Sequence, residues 1–300
     1  MLALTILGNN SAIPAYDRHP TAQVLQMQDE SFLIDCGEGT QMQMARYKVR
    51  SSKINHIFIS HLHGDHYYGL AGLLTSMSLL NRTNDLHIHA PAALGEIITM
   101  QFKLAEVCLS YNLHFHPIRE EGLIFENEKL TVHAFPLQHR IECWGFLFKE
   151  KKNPRKIDVD KVKVHNIPPA YFDLLHKGED YIAEDGTVIT NEELTTKAVP
   201  PKSYAYCTDT IYDESLIEKI KGADLLYHET TYLHAEEVKA MERFHSTSKQ
   251  AATIAHRAGV SQLLIGHFSS RYETLEAFLE EACTVFSNTE LALEGSCFRF

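Results

Sequence analysis

Six residues, His61-Leu62-His63-Gly64-Asp65-His66, place three imidazoles and a carboxylate in one loop. The loop follows the apolar run His56-Ile57-Phe58-Ile59-Ser60, which predicts a short buried strand. Packing alone does not account for such a cluster. Each buried imidazole needs its own partner, and protonated neighbours repel. A divalent cation answers both demands. It takes neutral His and ionised Asp, their ordinary states near pH 7. The bland alternative is a polar solvent loop.

A closed site needs donors from elsewhere in the chain. Three more apolar runs end in one. Leu130 to Gln138 leads into His139, Tyr204-Ala205-Tyr206-Cys207-Thr208 into Asp209, and Gln262-Leu263-Leu264-Ile265-Gly266 into His267. With the loop this gives seven candidate ligands, five His and two Asp. Seven exceeds the needs of one zinc and suits two ions sharing a bridging carboxylate and a bridging water.

The His-x-His-x-Asp-His loop, followed in order by single His, Asp and His ligands, resembles the metallo-β-lactamase superfamily. A longer stretch, Asp35-Cys36-Gly37-Glu38-Gly39-Thr40-Gln41, is similar to the ribonuclease Z family within it. So are Phe135-Pro136-Leu137-Gln138-His139-Arg140, His228-Glu229-Thr230-Thr231, His245-Ser246-Thr247 and Gly266-His267-Phe268-Ser269-Ser270-Arg271-Tyr272. The resemblance runs from about residue 3 to about residue 275.

It implies an α/β fold of the αββα sandwich form, two mixed sheets face to face with helices outside. It also implies a zinc-dependent endoribonuclease that removes the 3′ trailer of precursor tRNA by attack of a metal-activated hydroxide. The tRNA would keep a 3′-hydroxyl. His61, His63 and His139 would hold one Zn²⁺, and Asp65, His66 and His267 the second, with Asp209 bridging. The same ligand types accept Mn²⁺ or Fe²⁺. Asp65 would act as general base, with Glu229 orienting His245 as the acid for the leaving ribose oxygen. Taken alone, Glu229 reads as a surface carboxylate and His245 as a polar residue before a helix. Asp35 would support the ligands by hydrogen bonds.

Composition sets the frame. Three hundred residues, 44% of them apolar, are enough for a large core. The expectation is one domain over 1–300 carrying an inserted arm at about 150–200. That stretch holds five of the ten prolines and little periodicity, so it reads as an insertion without an independent core. The net charge of −11 is unusual for an RNA-binding protein, because phosphate contacts need Lys and Arg. Residues 149–163 nevertheless hold seven Lys/Arg (Lys149, Lys151, Lys152, Arg155, Lys156, Lys161, Lys163) against three acidic residues. In the family such an arm grips tRNA and serves a partner subunit, which implies a homodimer. Two motifs depart from the family. Ile167-Pro168-Pro169-Ala170-Tyr171 lacks the arm's usual Gly-Pro, and Tyr16 replaces a lysine in Pro14-Ala15-Tyr16-Asp17-Arg18.

Six scattered cysteines without a Cys-x-x-Cys pair read as reduced and mostly buried, as in a cytoplasmic protein. The N-terminus lacks a signal-peptide pattern. The longest apolar stretch, Gly69 to Leu80, is too short to span a bilayer. Helices are predicted at about 69–80, 92–108, 247–258 (Ser246 as N-cap, Gly259 beyond the end) and 273–286. His87, His89, His114, His116 and His133 read as solvent-facing strand positions, and Trp144 as core or interface. Two competing functions remain at this stage. One is a small-molecule phosphodiesterase or other hydrolase of the same fold. The other is a non-catalytic metal- or RNA-binding scaffold.

Overall fold

The computed structural model describes residues 2–28, 30–151, 154–198 and 200–300. Ten strands precede the insertion: β1 (Leu2–Gly8), β2 (Asn10–Ser11), β3 (Ala22–Met27), β4 (Glu30–Ile34), β5 (Ile54–Phe58), β6 (Leu86–Pro91), β7 (Leu113–Ile118), β8 (Gly122–Glu126), β9 (Leu130–Pro136) and β10 (Trp144–Glu150). Four two-residue strands lie inside it: β11 (Lys156–Ile157), β12 (Tyr181–Ile182), β13 (Val188–Ile189) and β14 (Thr195–Thr196). Six follow: β15 (Ser203–Cys207), β16 (Leu225–Glu229), β17 (Gln262–Gly266), β18 (Phe268–Ser269), β19 (Thr289–Leu291) and β20 (Cys297–Arg299).

Among the described residues, fourteen of these strands form two seven-stranded sheets, ordered β20-β1-β3-β4-β5-β6-β7 and β19-β17-β16-β15-β10-β9-β8, and the other six pair as β2–β18, β11–β14 and β12–β13. In the first, β4 through β7 run parallel while β1 and β3 pair antiparallel. Parallel strands buried on both faces read as continuous apolar runs, which is why β5, β15 and β17 stood out in the sequence. Aromatic rings fill the space between the sheets. Phe58 lies 5.5 Å from Phe146 and 5.2 Å from Phe148, and Phe32 lies 5.6 Å from Phe148.

Helices cover the outer faces. Thr40–Arg46, Leu70–Leu79 and Ala93–Leu104 pack Met44, Leu74 and Ile98 onto Leu33, Ile57 and Ile88 of the first sheet. Ser248–Ala258 and Glu276–Cys283 pack Ala255 and Phe278 onto Leu226 and Leu263 of the second. The αββα expectation is met. The cap of Ser248–Ala258 is Thr247, not Ser246: its side chain accepts from the Gln250 N–H, and Gln250 returns a bond to the Thr247 N–H. Ser246 instead donates its hydroxyl to the Thr210 carbonyl. Among the described residues, no helix is long and apolar enough to cross a membrane.

Residues 149–201, with 127–130, form a second compact unit. Val162, Ile167, Leu175 and Leu194 are its buried centre, with Tyr171, Phe172 and Tyr181 packed around them. This small core corrects the expectation of none. Its apolar residues are too widely spaced to produce a periodic signal. Of the basic run, Lys149, Lys156, Lys161 and Lys163 are exposed, Arg155 donates to Thr195 Oγ1 at 2.7 Å, and Lys152 lies outside the described residues.

The strand histidines also differ from expectation. Parallel register sets His56 beside His87 and His87 beside His114, with His89 beside His116. The rings stack at 4.9, 4.8 and 4.7 Å on the inner face of the first sheet. His89 is only 3% exposed, whereas His114, His116 and His133 are solvent-facing as read. Trp144 is buried, as are Cys36, Cys143 and Cys207, while Cys108 and Cys297 are exposed and all six cysteines are free.

Candidate active site

His61, His139, Asp209 and His267 follow the ends of β5, β9, β15 and β17, His63 caps the short helix Gly64–Tyr67, and Asp65 and His66 lie within that helix. The loop after β5 is anchored by Asp35, at the end of β4. Asp35 Oδ1 accepts from the Ser60 N–H at 2.7 Å. Its Oδ2 accepts from the Ser60 hydroxyl at 2.8 Å, from Tyr206 OH at 2.7 Å and from His66 Nδ1 at 2.7 Å. Both Asp35 and His267 take left-handed backbone conformations, φ 55° and 61°, that turn the chain sharply at the site. The short parallel pair β2–β18 brings the 10–18 loop alongside. There the Ala12 N–H donates to Asp65 Oδ2 at 2.7 Å.

All seven candidate ligands converge. Donor atoms of His61, His63, His139 and Asp209 lie within 4.8 Å of one another, as do those of Asp65, His66 and His267. Asp209 faces both groups. Its Oδ2 is 3.7 Å from His61 Nε2 and from His139 Nε2, and its Oδ1 is 3.4 Å from His66 Nε2 and 3.1 Å from His267 Nε2. One oxygen per group is the arrangement of a bridging carboxylate.

The donor set fits cations. His63 Nδ1 lies 3.0 Å from His61 Nε2 and 3.0 Å from His139 Nε2, so three ring nitrogens converge where one hydrogen cannot serve all. Burial pushes the pKa of His61, His63 and His139 down and keeps their lone pairs free. Burial opposes the charged forms of His66, Asp65 and Asp209 as well, but their mutual attraction outweighs it. His66 rises, and both carboxylates fall well below the usual range.

Glu229 and His245 form a pair beside this cluster. Glu229 is fully buried and accepts from His245 Nδ1 at 2.8 Å. Its carboxylate also accepts from the backbone of Thr210, Thr231 and Ser246. Burial works against a charged His245, yet Glu229, with help from Asp209 and Asp65, raises it to about 9. The surface-carboxylate reading of Glu229 is therefore wrong. His245 Nδ1 is 3.9 Å from Asp209 Oδ2, so it stands at the edge of the donor cluster.

Sequence reasoning missed Thr231, Ser60, Tyr206 and the Ala12 N–H. None carries a ligand type, and only chain neighbours such as Glu229 and His61 pointed toward two of them. A cavity of about 460 Å³ opens above the cluster, lined by Ile13, Glu38, Tyr68 and Arg140 with His63, Asp65, Asp209 and His245 below.

Sequence relatives decide the family. The chain is 46% identical over 296 residues to the ribonuclease Z of Bacteroides fragilis (strain YCH46), covering 98% of this chain and 97% of that protein. This chain belongs to the ribonuclease Z family. The ribonuclease Z of Cytophaga hutchinsonii is 44% identical over 98% of this chain and 95% of its own length. Among solved structures, human tRNase Z, short form, matches with TM-score 0.72 and 26% identity over 99% of this chain and 98% of that one. The metallo-beta-lactamase fold protein YhfI from Bacillus subtilis, at 19% identity and TM-score 0.71 over 99% and 98% of the two chains, shares the fold. A family model described as Anti-Pycsar protein Apyc1 matches residues 2–153. That half carries the His61–His66 loop and His139 but not Asp209, Glu229, His245 or His267. The full ligand set is thus spanned by the ribonuclease Z relatives.

Proposed function

We infer that this chain is a metal-dependent endoribonuclease that cuts the 3′ trailer from precursor tRNA. The product tRNA would keep a 3′-hydroxyl and the trailer a 5′-phosphate. The observation that carries the reading is the Glu229–His245 pair set against a two-part ligand cluster. Hydrolysis at a ribose 3′-oxygen needs both ends of that arrangement.

His61, His63 and His139 would hold one Zn²⁺, Asp65, His66 and His267 the other, and Asp209 both. The ions supply Lewis acidity, lowering the pKa of water and offsetting charge on the scissile phosphate. Asp65 is held ionised, the state a proton acceptor needs, and the Ala12 N–H fixes one of its oxygens. His245 has its pKa raised to about 9 by Glu229 against its burial, which favours the protonated form a proton donor needs. It is placed to give that proton to the departing 3′-oxygen, a poor leaving group as the bare alkoxide.

Residues 149–201 are assigned to tRNA binding, supported by seven Lys/Arg against three acidic residues in 149–163. A homodimer in the cytoplasm accords with an acidic body and free cysteines. The deciding experiment is to incubate zinc-loaded protein with a 3′-extended precursor tRNA and map the ends, with Asp65→Ala as control. One cut after the discriminator base, absent in the variant, supports the reading. Intact precursor with hydrolysis of small phosphodiesters would replace it with a small-molecule phosphodiesterase. Bound metal with no hydrolysis of any phosphodiester would indicate a scaffold.

A further inference from the structure

The geometry points to Tyr68 as a stacking platform for a nucleobase flanking the scissile phosphate. This rests on the precursor-tRNA reading and adds a base subsite to it. Tyr68 follows the short helix Gly64–Tyr67, one turn after the ligands Asp65 and His66. Its side chain lines the cavity above the donor cluster, yet it is 67% exposed. A single exposed ring is ordinary on a protein surface, and what sets Tyr68 apart is its place in the wall of this cavity.

The fold nevertheless holds that ring in place. A Cβ at Gly64 would fall 2.2 Å from Tyr68 Cε2, so the ring lies against the Gly64 backbone and a larger residue there would displace it. Tyr67 braces the ring edge-on, with centroids 5.0 Å apart at 70°. One face is thus supported while much of the ring stays open. Ile13, 56% exposed on the 10–18 loop, lines the same cavity and gives it a second apolar surface.

The occupant follows from the chemistry of the surroundings. The cavity of about 460 Å³ is large enough for a nucleotide unit. The candidate metal ligands His63, Asp65 and Asp209 set where a phosphate sits. Arg140 is the single Lys/Arg among the lining residues and is the counter-charge for a neighbouring phosphate. What remains unfilled is an apolar face beside a phosphodiester. An unpaired base meets that need, and it does so with little sequence preference, because every base offers a π-face. A tRNA 3′ end with its trailer is single-stranded and supplies such bases.

The test is a thermodynamic cycle between protein and substrate. Wild type, Tyr68→Phe and Tyr68→Ala are assayed on a precursor tRNA. They are assayed again on two precursors made abasic at the nucleotide on either side of the cut. Tyr68→Phe should match wild type, while Tyr68→Ala should lose about 5- to 150-fold in kcat/KM on the intact precursor, the range of one base–aromatic stack. On one of the two abasic precursors that loss should shrink to less than about twofold, since the partner is already gone. An equal loss on both abasic precursors, or no loss on the intact one, would overturn the platform while leaving the nuclease reading in place. Failure of wild type to cut the precursor at all would overturn both. Because Tyr68 is largely exposed, the alanine variant should unfold at the wild-type temperature, and a matched melting curve checks this.

Discussion

Asp35 Oδ2 and His66 Nδ1 lie 2.7 Å apart, both fully buried. This bond fixes the His66 ring so that Nε2 faces Asp65, Asp209 and His267. Asp35→Asn keeps the shape but offers an amide NH₂ in place of one acceptor oxygen, leaving buried donors of Ser60, Tyr206 or His66 unmatched. The expected outcome is a 10- to 100-fold loss of metal affinity, typical of losing such an outer partner. Competition with a chelator measures it, and unchanged affinity would remove Asp35 from the metal-positioning set.

Thr231 links the candidate ligand His267 to the Glu229–His245 pair. Its hydroxyl donates to Glu229 Oε2 at 2.8 Å, which leaves its lone pairs to accept from His267 Nδ1, 2.9 Å away. Thr231→Val should lower kcat by roughly tenfold or more, the worth of a hydrogen bond to a charged group, and Thr231→Ser should restore most of it. A serine variant as poor as valine would point to packing by the methyl group instead.

The role of His245 depends on the leaving group. His245→Ala should lower kcat on precursor tRNA by about 10²- to 10⁴-fold. Bis-p-nitrophenyl phosphate releases a phenolate that needs no proton, so its turnover should fall far less. Equal losses on both substrates would argue against proton donation.

Removing residues 150–200 should weaken binding of precursor tRNA and flatten its salt dependence, because the basic residues of 149–163 are where phosphate contacts are expected. Hydrolysis of bis-p-nitrophenyl phosphate should persist. Unchanged tRNA affinity in a filter-binding titration would relocate the RNA surface.

The stacked histidines predict acid lability. Burial first, then neighbouring imidazoles, hold His56 down to about 4 and His89 to about 3. Their surroundings are Phe32, Phe58 and Phe125 with His87, His114 and His116, and the charged groups acting on the cluster are Asp85 and Arg82. A depressed folded pKa means the unfolded chain binds protons first. The stabilisation is therefore full above about pH 6.5 and is lost as pH falls toward 4 and 3. His56→Phe should lose less stability than wild type between pH 7 and pH 4 in urea titrations. Parallel pH profiles for the two proteins would dismiss the cluster as a cause.

The sequence by itself singled out the candidate ligands, because donor types after apolar runs are a local pattern. His61, His63, Asp65 and His66 share one loop, and His139, Asp209 and His267 each close an apolar run. Short apolar strands alternating with helices gave a mixed α/β sandwich, and the family motifs implied its αββα form. Tertiary structure decided what depends on residues far apart in the chain. Only packing shows that Asp209 turns one oxygen to each ligand group, or that Thr231 stands between Glu229 and His267. Only parallel register stacks His56, His87 and His114, since strand alternation gives each residue a face but not its neighbours on the next strand. The same holds for Tyr68: its type and position were legible, while its place in the cavity wall and its contact with the Gly64 backbone come from the fold.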